Sequence, residues 1–222
     1  LNVQLVHLCI VSFDITRNRL ESMAQIRTPQ QERSAQTWER MLSAGMEILM
    51  TEGVSSLTVD AICRAAEVSR TSFYARAGNI SDFFMVLYER GMHEIIETRH
   101  VLFQKASALP VDSDDRIRAV ADGLAETFEI HHAFLSPIIE FASSDKQIRD
   151  QGSRASLPVL DEMIELLSWF GEDKAYQVAR FLQQECIFRV MYGPQWLSKE
   201  PESRDEFVER LFQMSRSRLR FN

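Results

Sequence analysis

An all-α fold is predicted by three features of this sequence. Glycine and proline are sparse, 8 and 6 in 222 residues, so few positions break a helix. Large apolar residues recur at helical spacing along most of the chain and do not alternate as in half-buried strands. Two helix-start residues, Thr58 and Ser69, stand on either side of one tight turn. With 45% apolar residues, the chain can bury a full core. The expected architecture is a three-helix head with a helix-turn-helix, followed by a larger helical domain. Residues 1–32 form an amino-terminal extension and arm, 33–79 the head, and 80–222 the helical domain.

Leu1 to Ser22 begins without methionine, and its apolar run LVHLCIVSF is too short to span a bilayer and has no basic leader. The expectation is a working protein that starts near Met23. The segment AQIRTPQQ then reads either as a mobile arm whose Arg27 reaches phosphate or minor groove, or as a disordered tail.

The first long helix is expected over Arg33–Thr51, with Trp38, Met41, Leu42, Gly45, Ile48 and Leu49 on one stripe and Gly53 as its left-handed cap. Thr58 caps a short second helix that buries Val59, Ile62, Cys63 and Ala66, with Asp60 against the positive dipole end. Ser69 caps the third, and Val68 staples onto Phe73. Ala65 and Ala66 are small enough for the two to cross closely. Arg70, Thr71, Ser72, Tyr74 and Arg76 then point outward, as donors and acceptors suited to phosphates and base edges. Thr58, Ser69 and Asn79 complete the set of candidate DNA contacts.

These residues resemble the tetracycline-repressor (TetR) family of bacterial transcriptional regulators, over about Arg33 to Leu87. The carriers are EGVSSLTVDAI, then AEVSRTSFY, then a glycine and a new helix. Four positions depart from the family pattern. Glu67 replaces its usual turn glycine, Arg76 and Ala77 replace His or Tyr followed by Phe, and Ile80 replaces Lys. A left-handed Glu67 would cost about 1–2 kcal/mol. Without the lysine, phosphate anchoring falls to Arg76 or Asn79. The resemblance implies an operator in double-stranded DNA, a fourth helix that carries motion between domains, and a homodimer built on a four-helix interface.

That fourth helix is expected from near Ser81 toward Phe103, bent at Gly91. Leu109, Pro110 and the Asp112–Asp115 cluster break the chain, and the next helix carries Ile117, Val120, Leu124 and Phe128 to about Ile130. Phe134–Phe141 is a short apolar helix with Pro137 in its first turn. Lys146–Phe170 is a helix interrupted near Pro158, and Gly171 ends it. Glu172–Tyr192 and Ser203–Leu219 are the last two helices, separated by GPQW. From them, Leu182, Cys186, Val190, Phe207, Leu211 and Phe212 are the candidate dimer contacts.

A ligand cavity for a small apolar molecule is expected in the second domain, an estimate that leans on the resemblance. Its candidate lining is Met92, Ile96, Arg99, Phe103, Phe128, Phe141, Met163, Phe188 and Tyr192, with His131, Gln184 or Arg189 as further polar groups. The adjacent His131 and His132 read as helix-end residues, because neighbours on a helix point apart and no ligand-spaced partner follows. Cys9, Cys63 and Cys186 have no metal-like spacing and suit a reducing cytoplasm.

The formal charge is −7, and the excess sits after residue 90 with −6, while Met23–Arg90 carries −1. The head is therefore not basic overall, and a shallow salt dependence of DNA binding is expected. No phosphate loop, nucleophile elbow or H-E-x-x-H is present in the sequence, so neither catalysis nor a cofactor is expected. The reading is a cytoplasmic, ligand-responsive DNA-binding regulator with no membrane partner, a repressor released from a palindromic operator. The alternative is an all-helical binding or interaction module that does not read DNA.

Overall fold

The computed structural model describes residues 29–196 and 199–221, so the expectations for Leu1–Thr28 lie outside the described residues. Nine α-helices are present among them, with no strand. They are α1 (Pro29–Glu52), α2 (Val59–Ala65), α3 (Arg70–Ala77), α4 (Ile80–Ser107), α5 (Asp114–Ile130), α6 (His132–Ser144), α7 (Lys146–Leu167), α8 (Glu172–Tyr192) and α9 (Arg204–Phe221). Short 3-10 turns at Val54–Ser56 and Ser168–Phe170 complete the path. No described helix is long and apolar enough to cross a membrane.

Two apolar cores organise the molecule. The first joins the stripe of α1, the buried sides of α2 and α3, and Phe83, Phe84, Leu87, Tyr88 and Ile95 of α4 to Phe134, Leu135 and Ile138 of α6. The second packs α4, α5, α7, α8 and α9 around Phe103, Ile117, Leu124, Met163, Leu167, Leu182 and Leu211. Because α4 supplies side chains to both, head and helical domain share one rigid beam.

Several elements differ from the expected ones. Helix α1 starts at Pro29, which suits a first helical position because proline has no N–H to leave unpaired there. Four residues assigned to the arm are therefore helical. Helix α4 is unbroken at Gly91: the missing side chain makes room for the Phe134 ring, which a Cβ would overlap. Pro137 lies in the second turn of α6, because the helix begins at His132. Helix α7 continues unbroken past Pro158, which sits on its exposed side, where water can serve the carbonyl that loses its N–H partner.

The buried Arg116 closes the far end of the beam. Its guanidinium donates to the carbonyls of Ser107 (2.7 Å) and Leu109 (2.6 and 3.0 Å), so it serves carbonyls that the end of α4 leaves without helical partners. Helix α9 is tied back by Arg216 and Arg220, each 2.6 Å from Asp114, and by Arg204, 2.7 Å from Asp122. Those two arginines hold the Asp114 carboxyl below its usual range, against the opposing effect of burial.

Candidate DNA-reading face and ligand cavity

The reading unit is set by local chemistry. Thr58 Oγ1 accepts from the Ala61 N–H at 3.2 Å and Ser69 Oγ from the Ser72 N–H at 3.1 Å, so both caps form as expected. Phe73 is fully buried, with Val68 packed on the same core. Ala66 is buried at the crossing, whereas Ala65 is exposed and takes no part in the close approach. The turn between α2 and α3 is closed by the Val68 N–H donating to the Cys63 carbonyl at 3.0 Å, and this forces Glu67 to φ 54°. A side chain with a Cβ is strained there. Glu67→Gly is therefore expected to raise stability by about 1 kcal/mol in urea unfolding, and an unchanged midpoint would show that the turn relaxes around Glu67 at no cost.

The candidate DNA contacts are not equally free. Arg70 is exposed, yet its guanidinium grips Asp60 of α2 with two 2.6 Å contacts, which fixes the angle of α3 as well as the arginine. Arg76 donates to the Ser72 hydroxyl at 2.6 Å and the Ser72 carbonyl at 3.1 Å. Asn79 is the cap of α4: its side chain accepts from the Asp82 N–H at 2.8 Å and donates to the Asp82 carboxylate at 2.6 Å. Among the described residues the Thr71 and Tyr74 side chains have no such partner; Tyr74 packs T-shaped on Phe73 and is 52% exposed. Sequence reasoning missed the Asp60–Arg70 pair because no helical spacing relates residues on different helices.

A cavity of about 330 Å³ lies between α4, α5, α6, α7 and α8. Met92, Arg99 and Phe128 line it as expected. The other six candidates do not. Phe103 and Met163 are consumed by the second core, and Phe141 packs edge-on to Phe84 at 5.8 Å. Ile96, Phe188 and Tyr192 face outward. The lining instead recruits Tyr88, Ile95, Ile138, Ile139, Ile148, Gln183 and Ile187 among others. A signal for part of this was present: Tyr88, Met92, Ile95 and Arg99 follow one face of α4 at helical spacing.

The polar groups of this cavity are those of Tyr88, Arg99, Thr127, Arg149 and Gln183, with the hydroxyls of Ser153 and Ser156. Arg99 is buried and meets Glu162 at 3.1 Å, so its charge is compensated. The Tyr88 hydroxyl and the Gln183 carbonyl oxygen are buried with no hydrogen-bond partner among the described residues. Burial also pushes the Tyr88 phenol up, keeping it neutral. His131 hydrogen-bonds Thr98 at 2.8 Å, and burial lowers its pKa. Gln184 is exposed and Arg189 is held by Glu202 at 3.2 Å, so neither polar candidate reaches the cavity. Among the described residues no group of three His, Cys, Asp or Glu side chains is placed to hold a metal ion. Cys63 and Cys186 are buried, and burial raises both thiols.

The six candidate dimer contacts, Leu182, Cys186, Val190, Phe207, Leu211 and Phe212, are all buried within the chain's own core. They are spent before any partner arrives. The solvent-facing side of α8 instead carries a ladder in which Phe188 stacks on Tyr192 at 5.6 Å and Tyr192 on Trp196 at 4.3 Å. Met191 of α8 and Met214 of α9 are also exposed.

Residues 41–87, from α1 to α4, match the model of the bacterial regulatory proteins of the tetR family. No curated protein matches the chain. Among solved structures, a TetR-family transcriptional regulator from Streptomyces coelicolor is similar with a TM-score of 0.64 at 20% identity, over 88% of this chain and 96% of that one. A TetR-like transcriptional regulator from Rhodococcus sp. RHA1 gives a TM-score of 0.58 at 16% identity, over 84% and 97%. A transcriptional regulator from Aquifex aeolicus gives 0.57 at 15%, over 81% and 98%. At these identities the likeness establishes the shared fold along nearly the whole of each relative.

Proposed function

We propose that this chain, whose residues 41–87 match the model of the bacterial regulatory proteins of the tetR family, is a homodimeric repressor of that family that leaves a palindromic operator when a small apolar ligand fills the cavity. The observation that carries this reading is the double duty of α4 and α6. Helix α6 walls the cavity with Leu135, Ile138 and Ile139, and its Phe134, Leu135 and Ile138 also belong to the core that holds α1, α2 and α3. Helix α4 lines the cavity with Tyr88, Met92 and Ile95 and begins at Ile80, with only Gly78 and its cap Asn79 between it and the reading helix. A ligand that binds better when these helices are displaced shifts the heads out of register with DNA, by its differential affinity for the two states.

Two copies related by a two-fold axis present two α3 helices to one face of the duplex, so the half-sites lie one helical turn or a multiple of it apart. The ladder on α8 is the surface this reading assigns to the second copy. Regulation of this kind operates in the cytoplasm and assigns the chain no catalytic step. Selection of genomic fragments by the purified protein tests the reading. Enrichment of a near-palindromic sequence is expected, and recovery of fragments without a shared motif would sink it.

A further inference from the structure

We propose that the cavity takes an uncharged, largely apolar alcohol or phenol of about a dozen non-hydrogen atoms. This rests on the ligand-released reading above and names the chemistry of the ligand. Size comes first. The cavity holds about 330 Å³, roughly twice the ~150 Å³ that a benzene ring fills in a protein interior. A fused bicyclic ring or its aliphatic equivalent therefore fits. Aliphatic walls such as Ile95, Ile138, Ile139 and Ile187 select an apolar body.

The polar group of the ligand follows from what the cavity wall leaves unpaired. Two of its lining residues, Tyr88 and Gln183, bring a hydroxyl and a carbonyl oxygen that are buried without a hydrogen-bond partner among the described residues. Such atoms are rare in folded proteins, since each has lost water and gained nothing. The Gln183 carbonyl needs a donor, and the Tyr88 hydroxyl can give or accept. A ligand hydroxyl does both, and it also serves the Gln183 amide in either orientation. A carboxylate offers only acceptors at pH 7 and would oppose the Gln183 oxygen. The two lining arginines do not rescue it: the buried Arg99 already meets Glu162 at 3.1 Å, so a second carboxylate would have to displace that partner, and Arg149 is exposed, donates to the Ala142 and Ser143 carbonyls at 3.4 Å and keeps its charge in water.

Titration calorimetry of the full chain with 2-naphthol, naphthalene and 2-naphthoate separates these claims. 2-Naphthol is expected to bind at least about tenfold more tightly than either of the others, the scale of one well-placed hydrogen bond. Tyr88→Phe combined with Gln183→Leu is expected to abolish that preference while leaving naphthalene binding intact. Tyr88→Phe alone is expected to leave the unliganded protein at least as stable as the wild type, which a merely structural hydroxyl would not allow. Equal binding of naphthol and naphthalene would overturn the hydroxyl assignment, and tighter binding of naphthoate would overturn neutrality. Failure of all three to bind would remove the cavity as a ligand site altogether. Naphthol binding with the expected preference but without operator release would uphold the ligand class and refute the regulatory reading instead.

Discussion

Gly91→Leu is expected to destabilise the protein by about 3 kcal/mol and Gly91→Ala by about 1–2 kcal/mol, although alanine is the better helix former. Two effects oppose each other here. Replacing a helix-interior glycine by alanine ordinarily gains about 0.5–1 kcal/mol. At Gly91, however, the added Cβ would overlap the ring of Phe134, which is buried in the first core, so the ring can move only by displacing its neighbours. The displacement cost wins. Gly152 in α7 supplies the opposite case: nothing lies within 4 Å of its missing Cβ, so Gly152→Ala is expected to stabilise by about 0.5–1 kcal/mol. Urea unfolding of both variants checks the argument. If Gly91→Ala stabilises as Gly152→Ala does, the α4–α6 contact is looser than described and cannot couple cavity to head.

Phe188→Glu combined with Tyr192→Glu is expected to convert dimers to monomers with the fold intact, and to weaken operator binding at least about 100-fold. The loss follows because a monomer gives up the effective concentration that joins two half-sites. Both side chains are nearly half exposed, at 47% and 45%, so charges there meet water in the monomer and clash only across an interface. Leu211→Glu or Phe212→Glu, which the sequence singles out, is expected to unfold the chain, since both are buried in the protomer's own core. Sedimentation with circular dichroism distinguishes the two outcomes. A double variant that remains dimeric would move the interface to another face.

What the sequence makes legible is what a few neighbouring residues decide. Caps at Thr58, Ser69 and the strained Glu67 are properties of a turn and its flanks, and all three are found as read. Helix α8 shows where local reading stops. It has two apolar rows, and periodicity identifies both without saying which faces inward; packing chooses Leu182 and Cys186 for the second core and Val190 for the first, and leaves Phe188 and Tyr192 outside. The cavity is harder still. Five helices converge on it, so residues such as Gln183 and Ile148 belong to it only through contacts distant in the chain. Glycine is ambiguous for the same reason: Gly91 reads as a bend in isolation and is a seat for Phe134 once α6 is placed.

If the exposed side of α3 reads DNA, anisotropy of the protein on its selected operator at several salt concentrations will report it. Tyr74→Ala, Arg70→Ala and Arg76→Ala are expected to weaken binding by about 1–3 kcal/mol each while the dimer and its helix content persist. Arg76→Ala should also reduce the salt slope by about one, as loss of a phosphate contact does. Arg70→Ala carries a second cost, because it leaves Asp60 unpaired beside the phosphates. Wild-type affinity and an unchanged salt slope in all three variants would place the DNA-binding surface on another face.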